Sequence, residues 1–105
     1  MSSALELFRR DCTVVDRTGV RKPLTVSFYT PVKNPEGSDY LARANISCAF
    51  FDKTVYGTGE DPAQAFFWLP VVVVSYLVGM RRKGFEAYWF EKGDLDYEDF
   101  WTYRK

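Results

Sequence analysis

The sequence predicts an α+β fold: an antiparallel sheet of four to five strands with one long helix packed on one face, in the order β-β-β-β-α-β. Two observations carry this. Segments before residue 57 alternate apolar and polar residues or run β-branched, with turn residues between them. Residues 61–83 are an apolar run with a helix start signal at one end and a basic stop at the other.

Apolar residues from position 5 onward show no helical spacing, and Cys12-Thr13-Val14-Val15 is β-branched, which predicts a first strand ending near Asp16. Arg17-Thr18-Gly19 reads as a turn. A second strand spans 24–30, with Leu24, Val26 and Phe28 inward. Residues 31–39 carry two prolines, an asparagine and a glycine, and predict a loop. A third strand is expected over 40–51, then a tight turn at Asp52-Lys53 and a short fourth strand over 54–56.

Asp61 suits a helix N-cap, Pro62 the first helical position, and Gln64 a capping box. Arg81, Arg82 and Lys83 complement the C-terminal dipole, and Gly84 supplies the stop. Pro70 removes an interior backbone bond and predicts a kink. The four valines after it are weak helix formers, so burial has to hold this segment. At about 100° per residue, Ser75 and Arg82 define the one polar stripe, while Trp68, Val71, Val78 and Gly79 lie within about 60° of it. The helix therefore carries more apolar surface than one sheet covers. An aromatic tail folded back, a second copy or partner protein, or lipid are the possible covers. Lipid is the least favoured, because the flanking chain patterns as a soluble sheet. A fifth strand is expected over 85–91, followed by a tail over 94–105.

At 105 residues the chain is expected to form a single domain. Its fourteen basic and fourteen acidic residues cancel, which removes the electrostatic footprint of nucleic-acid binding. The first residues place their charge after a short apolar patch, the reverse of a secretory signal. A cytoplasmic location is expected, with Cys12 and Cys48 reduced and acting as small hydrophobes. There is no histidine, so the usual general base, the usual metal ligand and every nucleophile–imidazole pair are missing. No enzymatic activity, cofactor or metal is expected.

Gly57-x-Gly59 before a helix resembles a phosphate loop, but Pro62 stands where a further glycine belongs, and Glu60 and Asp61 would repel an anion. A turn and a cap explain it better. Asp94-x-Asp96-x-Glu98-Asp99 resembles the start of a calcium loop, but Asp99 and Lys105 stand where glycine and glutamate are needed. The same acids interleave with aromatics, and such a surface can dock on a basic cleft of another protein. The candidate partner-binding residues are Tyr88, Phe90, Asp94, Asp96, Tyr97, Glu98, Asp99 and Trp101.

A strand meander, the helix start Gly59-x-Asp61-x-x-Gln64-Ala65, an aromatic strand with Trp89 and a closing Gly93-Asp94-Leu95 resemble a group of small bacterial domains without an established activity. The resemblance covers residues 5–95, and the chain departs from it in Pro70, the valine run and the longer tail. It implies the fold and a bacterial origin. Small cytosolic domains of this size and class are often immunity proteins, so the expected function is a protein-binding module that neutralises a cognate toxin. The alternative is a small-ligand or regulatory domain with a pocket lined by Trp68, Tyr76 and Trp89. A single-span membrane protein through 62–83 is a lesser alternative, and a homodimer through the helix is compatible with the first two.

Overall fold

Strand β1 (Glu6–Val15) turns at Asp16 and returns as β2 (Arg21–Tyr29). The structure, a computed structural model, describes residues 4–89. In the turn, Asp16 Oδ1 accepts from the Thr18 and Val20 amides, each at 2.9 Å, and from the Thr18 hydroxyl at 2.7 Å. Gly19 supplies the φ of 85° that closes it. Two further residues, β3 (Val32–Lys33), lead through an Asn34–Asp39 turn into β4 (Tyr40–Cys48) and then β5 (Asp52–Gly59).

All pairings are antiparallel. Leu24 to Phe28 of β2 pair with Cys48 to Ala44 of β4, and β3 pairs with Leu41 and Tyr40 beyond them. The register changes by one residue between Phe28 and Val32, a stretch that contains Pro31. Proline lacks the N–H that a continuous ladder needs. The expected loop over 31–39 is therefore shorter, because the chain resumes pairing on β4 as soon as Pro31 is passed.

The turn into β5 also differs from expectation. Pairing ends at Cys48, whose amide donates to the Phe51 carbonyl at 2.9 Å, and Asp52 and Lys53 already belong to β5. Phe50 and Phe51 leave the ladder to pack elsewhere. Phe50 stacks on Phe85 at 5.2 Å, and Phe51 meets Tyr76 at 5.9 Å.

The helical segment is α1 (Pro62–Phe67), α2 (Leu69–Met80) and a final 3-10 turn, Arg81–Lys83. Asp61 caps it by accepting from the Gln64 amide at 2.8 Å, and the Gln64 side chain accepts from the Glu60 amide at 2.6 Å. The break falls at Trp68 rather than at Pro70. Pro70 has no N–H for the Phe66 carbonyl and its ring crowds that turn, so the disruption appears on the N-terminal side. At the other end Phe85 N–H donates to Met80 and Gly84 N–H to Arg81, a Schellman closure with Gly84 at φ 91°. Arg17 donates to the Lys83 carbonyl at 3.0 Å and ties the first hairpin to the helix end.

Strand β6 (Glu86–Tyr88) pairs with β1, on the edge of the sheet opposite β5. The helix thus crosses one face from the β5 side to the β6 side. Ala65, Leu69, Val73 and Leu77, four apart, are fully buried against Leu24, Val26, Phe28, Ala42, Ala44 and Ile46. Aromatic clusters fix both ends, Phe8–Phe28–Phe66 near α1 and Phe50–Phe51–Phe85–Tyr76 near the end of α2. The expected α+β class is observed, an antiparallel sheet with a helical layer on one face. The expected fifth strand over 85–91 and the 94–105 tail run past residue 89, outside the described residues.

Candidate functional site

Of the eight residues expected to bind a partner, Tyr88 alone lies among the described residues. It ends β6 opposite Thr13 and is buried. Phe90, Asp94, Asp96, Tyr97, Glu98, Asp99 and Trp101 lie outside the described residues. Trp68, Tyr76 and Trp89, expected to line a ligand pocket, sit in three different settings. Trp68 is 52% exposed at the helix break and Trp89 is buried with the Arg10 guanidinium 4.7 Å from its ring. Tyr76 packs on Phe51, and burial, with a smaller contribution from the Cys48 thiol, raises its phenol above the ordinary value.

The helix surplus is real. Pro62–Lys83 is long and apolar enough to cross a membrane, and 33% of its most apolar stretch is buried within the protein. Phe67, Trp68 and Val78 are exposed large apolar side chains on it, with Val71 half-buried. The buried share faces the sheet, where Leu69, Val73 and Leu77 have no accessible surface.

Exposed apolar side chains gather where β1 begins and α1 starts. A groove of about 350 Å³ is lined by Leu7, Pro31, Pro62, Ala63, Phe66 and Phe67, all apolar. Leu5 and Phe8 of the first residues are also exposed, as is Trp68 after α1, and Phe67 keeps 68% of its surface. A register irregularity between Glu6 and Phe8 breaks the strict alternation of β1 at Leu7, while Phe8 pairs with Phe28. Phe8 stacks on Phe28 at 4.8 Å and meets Phe66 at 6.2 Å, which packs the groove's Phe66 against the sheet. The sequence signal for this groove was the adjacent apolar pair Leu7-Phe8, which a strict two-residue period does not explain.

A second, larger cleft of about 770 Å³ lies at the opposite hairpin, among Val15, Asp16, Arg17, Gly19, Arg81, Gly84, Phe85 and Glu86. Two of its charged groups, Asp16 and Arg17, are committed to structure. Bonds from the Thr18 hydroxyl first, then the Val20 amide, hold the Asp16 carboxyl below its ordinary value. Arg17 caps the helix. No group of three or more potential metal ligands occurs among the described residues. Gly57 and Gly59, the rejected phosphate motif, belong to β5 and face α1, not a ligand. Compared with protein-family models, with curated proteins and with solved structures, the chain finds no match in any of the three.

Proposed function

We propose that the chain is a non-catalytic protein-binding module that receives an apolar segment of another protein in the groove between β1 and α1. The observation that supports it is the wholly apolar lining of that groove, with Phe67 standing exposed at its edge. An apolar concavity with a packed aromatic wall suits an interface anchor, since buried aromatic side chains carry most of the binding energy in such contacts. The most concrete form of this reading is an immunity-type inhibitor of a cognate bacterial toxin. It draws on chain size and class, and on the interleaved acidic and aromatic residues from Asp94 to Trp101 as a second, charged contact.

The test is binding to the product of the neighbouring gene, with three purified forms of the chain. Wild type is expected to bind. Phe67→Asp, an exposed position, is expected to weaken binding by at least tenfold. Joint replacement of Asp96, Glu98 and Trp101 by alanine tests the charged contact. Full affinity in both variants ends the surface assignment, and no binding by wild type ends the toxin-inhibitor form. A second copy over Trp68 and Val78 is the competing occupant, because these residues leave apolar surface exposed along the helix. A monomer at high concentration in sedimentation removes it.

A further inference from the structure

On the face of the sheet away from the helix, Arg43 of β4 stands between two tyrosines. Its guanidinium lies 4.0 Å over the Tyr29 ring, and Tyr56 is its partner in the β4–β5 ladder. Its Nε is buried and has no hydrogen-bond partner among the described residues. Together with Ala4, Thr30, Val32, Leu41 and Tyr56 it lines a cavity of about 150 Å³.

We propose that this cavity binds a single carboxylate through Arg43. Stacking on Tyr29 satisfies the face of the guanidinium and leaves the buried Nε–H without an acceptor. A buried donor of this kind calls for an explanation, and a planar fork of N–H groups fits a bidentate oxyanion. No described carboxylate supplies one. Glu6, the acid paired with Tyr29 in the β1–β2 ladder, is held by Arg9 at 3.1 Å. The other lining groups add donors. The Thr30 hydroxyl accepts from the Leu5 amide at 3.0 Å and keeps its own proton to give, and Tyr56 contributes a second hydroxyl.

The remaining walls choose between oxyanions. Ala4, Val32 and Leu41 are apolar, and Arg43 is the one cation among the described lining residues. One positive charge against carbon walls matches a monoanion with a short hydrocarbon stem and leaves a phosphate dianion under-compensated. At about 30 Å³ per water, the cavity holds a group of a few heavy atoms. Two sources supply that chemistry: a free short-chain carboxylate, or an acidic side chain of a segment lying on the sheet. The cavity is separate from the apolar groove: Pro31 lines the groove, while its neighbours Thr30 and Val32 line the cavity.

The test follows the Arg43 Nε–Hε signal and the Tyr29 and Tyr56 ring signals by NMR in the full chain. Sodium propionate and a capped glutamate peptide are titrated against sodium chloride at equal ionic strength. A saturable shift with propionate identifies the free carboxylate as ligand, and one with the peptide alone identifies a side chain; either supports the site. Affinity is expected to fall at least tenfold in Arg43→Gln, followed at the tyrosine rings, and several-fold in Tyr56→Phe, which removes one hydroxyl from an exposed residue. Shifts no larger than those with chloride, an equal response to phosphate, or unchanged affinity in Tyr56→Phe together with Arg43→Gln overturn the proposal.

Discussion

Gly57 of β5 lies so close to Ala65 of α1 that a Cβ on the glycine would overlap the Ala65 carbonyl oxygen, and would also stand 3.2 Å from the Leu69 amide nitrogen. Gly59 repeats the approach, with a Cβ falling 2.8 Å from the Gln64 carbonyl carbon. The obstacles are mostly helix backbone, which cannot turn aside. Two missing side chains in one strand thus bring α1 down onto the sheet. Gly57→Ala and Gly59→Ala are expected to destabilise the fold by about 1–3 kcal/mol each through overpacking. Gly79, with nothing within 4 Å of a built Cβ, is the control. Gly79→Ala is expected to stabilise α2 by about 0.5–1 kcal/mol. Urea unfolding of the three variants checks the contrast.

The cap at Asp61 is expected to matter as much as a typical one. Asp61→Ala removes the acceptor of the Gln64 amide and is expected to cost about 1 kcal/mol, while Asp61→Asn keeps an oxygen there and costs less. Thermal unfolding followed by circular dichroism separates them.

Burial divides the helix into residues that hold the fold and residues free for contact. Leu69→Ala and Leu77→Ala are expected to cost about 2–5 kcal/mol each, since both are fully buried. Val78→Thr, at an exposed position, is expected to stay within about 0.5 kcal/mol of wild type. A larger, concentration-dependent loss in Val78→Thr would reveal a second copy on that surface.

Asp16 makes the first hairpin pH-dependent. Its folded pKa is lowered, chiefly by the Thr18 hydroxyl and then the Val20 amide, so its stabilisation is present above the unfolded value. It is lost as the pH falls through the lowered folded value. A carboxyl-carbon NMR titration is expected to place the inflection below the ordinary 3.8. The stability difference between wild type and Asp16→Ala is expected to shrink over the same acid range. An inflection at or above 3.8 contradicts the turn geometry.

The sequence by itself determined the fold class, the helix start at Asp61 and its stop at Gly84. These signals are local: a cap, a capping box and a left-handed glycine each act within a few residues along the chain. The inward set Leu24, Val26 and Phe28 was legible for the same reason, as a two-residue period. Tertiary structure decided the rest. Phe50 and Phe51 read as strand but leave it for Phe85 and Tyr76, residues far along the chain. Gly57 and Gly59 read as a turn but are strand residues stripped to admit a helix. Leu7 and Pro31 face Phe66 and Phe67 across a groove, and Arg43 meets Tyr29 and Tyr56, because strand register brought them together. Register is set by the summed burial of a whole sheet face, a quantity that no short stretch of sequence contains.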